Sequence, residues 1–244
     1  MGYDATDRVH LYVGANQYMI PPTAGQIFGA RTGTNITLPN RNLKPTTKTS
    51  YELGAKYVMD SKTYMDFSVY RRKQNDTIAL FTPDPGTPYT RINYNRDYNK
   101  TIHGFELNFV KKFGKYFRGT FGYAHLDADS YNLIQRYPRD QVTLTLSYQR
   151  NNYDINLEGL GFYDIVPVES FVKNKAKYLP EQTYWVWNLS ANYRVNDSTK
   201  LFLKVNNLLN LQYMTLVDYD SAAKSMRYYS KPGRHFVLGV EYSF

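Results

Sequence analysis

No cysteine occurs among the 244 residues. Disulfides and thiolate metal sites are therefore excluded. Long apolar runs are missing as well. No stretch approaches the ~20 apolar residues of a transmembrane helix, and the mean hydropathy is -0.57. The opening "MGYDATDRVHLY" has neither the basic nor the apolar segment of an export signal, so none is expected there. Acidic residues are outnumbered, 21 against 30 basic ones, for a formal charge of +9. Such an excess serves nucleic acid, an anionic membrane surface or an anionic ligand. The basic residues are spread over many segments rather than set in one stripe, which argues against nucleic acid. Histidine is rare, at 10, 103, 125 and 235. His125 and Asp127 share a face but have no nucleophile beside them. "DADS" at 127–130 places two acids at i, i+2 without the rest of a calcium loop, and reads as a solvated turn. The expectation is therefore no enzyme, no metal and no cofactor.

Aromatic residues are plentiful: 25 Tyr, 13 Phe and 2 Trp. Tyrosine favours strands, and surfaces that are apolar at one end and wet at the other. Alternation with period two recurs throughout. It predicts ten strands, at 8–17, 49–59, 62–72, 99–113, 116–128, 138–150, 153–165, 183–195, 199–208 and 234–244. In "QVTLTLSYQ", Val142, Leu144, Leu146 and Tyr148 oppose Thr143, Thr145, Ser147 and Gln149.

The connections alternate too. Tight turns at "MDSK", "FGK", "RNN" and "VNDS" separate long connections at 18–48, 73–98, 129–137, 166–182 and 209–233. A soluble sandwich has no reason to put every long loop at one end. An outer-membrane barrel does, with short periplasmic turns, long extracellular loops and apolar-out, polar-in strands. Tyr57, Tyr116, Tyr153 and Tyr193 then belong to an interfacial girdle. The final strand, "HFVLGVEYSF", carries Phe236, Leu238, Val240, Tyr242 and Phe244 on one face. Against hydrocarbon, that stripe needs no polar tail.

"VLGVEYSF" resembles the C-terminal signal that such barrels present to their assembly machinery, with Gly239, Tyr242 and Phe244 at its key positions. Three further stretches resemble TonB-dependent outer-membrane receptors. They are "LYVGANQYMIPPTAGQIF" (11–28), "LPNRNLKPTTKTSYELGAKY" (38–57), and "FLKVNNLLNLQY" with "YYSKPGRHFVLGVEYSF" (202–213 and 228–244). Order and spacing agree over nearly the whole chain. Ile20, Pro21 and Pro22 replace the usual Arg-Ala-Pro, and Thr46 replaces a Glu. Haem-uptake members carry a His between the first two motifs. None occurs in 23–42, which disfavours haem.

The resemblance implies a barrel of 22 strands closed by an N-terminal plug. The ten predicted strands correspond to its last ten, starting at strand 13, with residues 1–244 as one barrel domain and the plug absent. It also implies import of a ferric siderophore or similar scarce nutrient, energised by TonB acting on that plug. The alternative is a self-closed ten-stranded barrel acting as a passive pore, with 8–17 paired to 234–244. Lipid and lipopolysaccharide are expected neighbours. The candidate ligand contacts are Tyr89, Arg91, Tyr94 and Arg96 in one long connection, Tyr131 and Arg136 in another, and Arg227, Tyr228 and Tyr229 in a third. Arg supplies bidentate contacts to anionic oxygens, and Tyr a rigid amphipathic surface. Pro-rich "PPT", "TPDPGTP" and "KPG" lie in the same connections and stiffen them.

Overall fold

The structure is a computed structural model that describes residues 1–84, 86–87, 89–96, 100–129, 137–165, 183–220 and 225–243, with the backbone alone for 214–220 and 225–229. Strands β1 (Gly2–Thr6) and β2 (Val9–Ile20) come first. Then follow helix α1 (Ala24–Phe28) and strands β3 (Ala30–Thr32) and β4 (Asn35–Leu38). Next are β5 (Thr46–Asp60), β6 (Thr63–Asn75), β7 (Ile78–Phe81), β8 (Thr90–Asn95), β9 (Lys100–Phe113) and β10 (Phe117–Ala128). The chain continues through β11 (Pro138–Arg150), β12 (Tyr153–Ile165), β13 (Tyr184–Arg194) and β14 (Thr199–Asn206). It ends with β15 (Met214–Asp220), β16 (Ser225–Ser230) and β17 (His235–Tyr242).

Eleven strands form one antiparallel sheet in the order β1-β2-β5-β6-β9-β10-β11-β12-β13-β14-β17. All ten expected wall strands are present. The eleventh, β1, was not foreseen: Tyr3 pairs with Leu11 and Asp4 with His10 across the tight Asp7–Arg8 turn. Its five residues are too few to show alternation. Tight turns join β5 to β6, β9 to β10, β11 to β12 and β13 to β14. Gly114 (φ 61) and Asn151 (φ 48) supply the left-handed backbone that two of these turns need.

The other end is more structured than a set of loops. β3, β4, β8 and β7 make a separate four-stranded sheet from two long connections, with β4 and β8 parallel. β15 and β16 form a hairpin. The five-residue helix opens with the Gln26 side chain accepting the Thr23 N–H at 2.8 Å. Segments of three to seven residues carry too little periodicity to be told from loops in the sequence.

The two faces of the large sheet differ. Along β17, Phe236, Leu238, Val240 and Tyr242 are 66, 80, 65 and 64% exposed. They stand opposite Val205, Leu203, Leu201 and Thr199 of β14, extending one apolar face across the strands. Only Val110, Ile165, Val186 and Val205 are fully buried large apolar residues among the described positions. A sandwich would bury such a face against a second sheet; here most of it is exposed. Aromatic rings collect at its tight-turn end: Tyr153 lies 4.8 Å from Tyr193, and Phe117 lies 4.9 Å from Tyr148. The first and last strands of the sheet, β1 and β17, are not neighbours. The self-closed ten-stranded barrel is thus not formed: β2 pairs with β1 and β5, and β17 with β14.

Candidate functional site

The polar face of the sheet gathers charge near its long-connection end. Register puts Tyr18, Lys48, Gln74 and Lys100 side by side on β2, β5, β6 and β9. The next row holds Asn16, Ser50, Arg72 and Ile102. Adjacent strands lie ~4.8 Å apart, so the Lys48 and Lys100 backbones are separated by roughly 10 Å. These rows line a cleft of about 480 Å³, with Glu52 the acidic residue in its lining. Lys48 Nζ stands 5.8 Å over the Tyr18 ring, and Arg72 Cζ stands 4.3 Å over the Tyr70 ring. Each ring holds a cation in place without neutralising it. Four cationic residues, Lys48, Arg72, Lys73 and Lys100, against one carboxylate make the cleft an anion-attracting wall.

The four-stranded sheet stands at the end of this cleft. The Asn95 side chain joins the two connections: its Nδ2 donates to Lys44 O (2.9 Å) and Asp76 O (2.8 Å), and its Oδ1 accepts the Lys44 N–H (2.7 Å). Asn40 Nδ2 donates to Asn93 O at 2.8 Å, and Thr46 Oγ1 to Asp76 O at 3.1 Å. Gln74 of the cation row donates to Thr77 Oγ1 at 2.8 Å. Thr77 O in turn accepts the Arg96 N–H at 2.9 Å. The cap and the cleft are therefore one hydrogen-bonded unit.

The expected ligand contacts fall in different places. Tyr89 and Arg91 are exposed on the cap. Tyr94 is exposed too, but alternation along β8 sets it with Thr90 and Ile92, opposite Arg91 and Asn93. Its ring meets Phe81 edge-on at 6.1 Å. The Tyr–Arg interleaving in the sequence is thus divided between two faces of a strand. Arg96 is half-buried at the base of the cap. Arg227, Tyr228 and Tyr229 lie on β16, where register places them opposite Asp218, Val217 and Leu216, with side chains outside the described residues. Tyr131 and Arg136 lie outside the described residues, as does Phe244. Gly239 faces Phe202 across β14, and Tyr242 closes the apolar stripe.

His125 also has a role in the sheet. Its Nδ1 lies 2.7 Å from Asp140 Oδ1, which accepts the Tyr123 hydroxyl at 2.5 Å. Asp127 pairs with Arg139 at 3.6 Å. Beyond the long-connection end of β14, burial raises the Tyr213 phenol above its ordinary value, and its ring lies 4.6 Å from Tyr184. The cation rows were missed in the sequence, although "TKTS" and "RRKQN" advertise bases near strand ends. Which of these bases face inward, and beside what, depends on register across four strands.

The family profile described as "TonB dependent receptor-like, beta-barrel" matches residues 1–208. The chain belongs to this family. TonB-dependent receptors are outer-membrane barrels, so the apolar face is the outward one, the polar face is the inward one, and the long-connection end is extracellular. Among curated relatives, the chain is 23% identical over 249 residues to the vitamin B12 transporter BtuB of Vibrio vulnificus, covering 100% of this chain and 36% of that protein. It is 22% identical over 250 residues to the ferripyoverdine receptor of Pseudomonas aeruginosa, covering 96% and 30%. The chain thus spans about a third of these relatives' length. Among solved structures, the ferric enterobactin receptor PfeA of Pseudomonas aeruginosa (Q482A mutant, with enterobactin) superposes with a TM-score of 0.79 at 16% identity. It covers 100% of this chain and 40% of that one. The copper transporter OprC superposes at 0.73 and 18%, covering 100% and 39%. At these identities the likeness establishes the fold: part of a receptor barrel wall.

Proposed function

We propose that this chain is part of the wall of an outer-membrane active-transport receptor, energised through TonB, that imports a ferric siderophore or a similar anionic nutrient. The observation that carries this reading is the pair of inward rows that holds Lys48, Lys100 and Arg72 beneath the hydrogen-bonded cap. Charge-assisted contacts from such a row suit carboxylate- or catecholate-type oxygens around a metal. Tyr89 and Arg91 extend the contact surface upward on the cap. The chain performs no covalent chemistry. Energy reaches it through a plug domain that these 244 residues do not contain. The names of the ferripyoverdine and enterobactin receptors support a ferric ligand, while those of the vitamin B12 and copper transporters mark how widely ligands vary among similar proteins. Gly239, Tyr242 and Phe244 serve the barrel-assembly machinery. Arg71 faces outward near the extracellular rim, where lipopolysaccharide phosphates lie.

The test is ferric-ligand binding to the complete receptor carrying Lys48→Gln, Arg72→Gln and Lys100→Gln together. A charge-assisted hydrogen bond is worth ~1.5–3 kcal/mol, so affinity falls at least tenfold. Arg71→Gln, outside the cleft lining, leaves affinity unchanged. Equal affinity for the triple variant and the parent would remove the cation rows from the ligand path.

A further inference from the structure

The outward face carries one feature that a uniform lipid-facing wall does not need. Near its periplasmic end, β9 to β13 surround an apolar hollow of about 420 Å³. This volume lies within the ~300–1,000 Å³ of small-molecule pockets. Two of the outward positions here are Gly119 and Gly159, where the wall has no side chain. The Phe113 ring leans over Gly119 and the Trp187 ring over Gly159. Leu146, 47% exposed, lies between them on β11.

A single cation borders this hollow. Lys111 is exposed on the same outward face, directly opposite Gly119. Its Nζ lies 5.6 Å from the Phe113 ring centroid. It forms no ion pair among the described residues. Asp60, in the neighbouring periplasmic turn, is within electrostatic reach and accepts the Lys62 N–H at 2.6 Å, but no salt bridge joins it to Lys111. A lysine among apolar outward residues is costly toward the bilayer centre and is accommodated by reaching to the interface. Phosphate oxygens at that interface offer it charge-assisted contacts.

We propose that this hollow, with Lys111 at its rim, is a binding site for one anionic phospholipid of the periplasmic leaflet. An acyl chain lies in the depression between the Phe113 and Trp187 rings. The headgroup phosphate meets the Lys111 ammonium. The proposal rests on the outward face meeting lipid, and the test separates the two claims.

Trp187 lines the hollow and serves as the reporter. The complete receptor, assembled in outer membranes and purified, is reconstituted into zwitterionic bilayers. Increasing fractions of phosphatidylglycerol or phosphatidylcholine with brominated acyl chains are then added. Subtracting the signal of a Trp187→Phe receptor isolates the Trp187 fluorescence. A basic residue near an anionic surface contributes ~1 kcal/mol, so brominated phosphatidylglycerol should quench at about five-fold lower mole fraction than brominated phosphatidylcholine. Lys111→Gln should abolish that preference, and Lys111→Arg should restore it. Equal quenching by both lipids in the parent would mean ordinary bilayer contact and would overturn the site. A preference that survives Lys111→Gln would overturn it as well. Absence of quenching by either lipid would overturn the placement of this face in the membrane, and the site with it.

Discussion

At the residue scale, the wall is joined by aromatic rings laid over glycines on the next strand. Tyr12 covers Gly54, Tyr70 covers Gly104, Trp187 covers Gly159, Trp185 covers Gly161 and Phe202 covers Gly239, each at directly paired positions. A large ring thus packs flat against a neighbouring strand instead of standing off it, an arrangement that also rescues strand glycines. Gly104 is the tightest case. A Cβ there would sit 2.1 Å from the His125 carbonyl oxygen of β10 and 2.7 Å from the Tyr70 hydroxyl. The carbonyl belongs to a ladder strand and cannot swing away, so Gly104→Ala should cost ~1–3 kcal/mol as an overpacking change. Urea unfolding of the receptor in liposomes measures this. Gly33, with nothing near its Cβ position, marks the contrast, although its φ of 60 has its own cost for a side chain. The glycines and rings are both visible in the sequence. Their pairing is not, because a one-residue slip in register would set each ring over a different neighbour.

At the element scale, β17 tests which face meets lipid. Leu238 points outward near the middle of the strand, while Val237 points inward opposite Lys204. A cation on the lipid face near the bilayer midplane costs ~2–4 kcal/mol. Leu238→Arg should therefore deplete the receptor from the outer membrane, and Val237→Arg should leave its amount near that of the parent. Quantitative blotting of outer-membrane fractions measures both. Deleting Phe244 should lower the amount in the same assay, as the assembly signal requires; an unchanged amount would count against that role. The long wall strands were legible because ten or more alternating residues outweigh local noise. β8 was not: its Tyr and Arg read as one cluster, yet the cap makes it a strand with Arg91 and Tyr94 on opposite faces. Its partners β4 and β7 come from other segments, and β4 comes from a different connection altogether.

At the scale of the whole molecule, eleven strands make half of a 22-stranded wall. β1 and β17 bound the sheet, each paired on one side only. In hydrocarbon each unsatisfied backbone group costs several kcal/mol, so these edges require partner strands. The 244-residue stretch expressed alone behind an export signal should therefore fail to reach a protease-resistant, heat-modifiable state in the outer membrane. The complete receptor should reach it. Accumulation of a resistant form at the mass of this stretch would show that it seals its own edges.

The amino-acid sequence by itself determined the wall. Period-two alternation, tight turns at one end, long connections at the other and an aromatic-striped last strand are local patterns. A sheet between lipid and water needs nothing more to set its strands and its faces. The tertiary structure alone decided the site. The cation cleft exists because β2, β5, β6 and β9 align in one register, bringing Lys48, Arg72 and Lys100 together from segments up to fifty-two positions apart. The cap exists because Asn95 ties one long connection to another. Both depend on hydrogen bonds and pairings between residues distant in sequence, and no periodicity within a single strand encodes them.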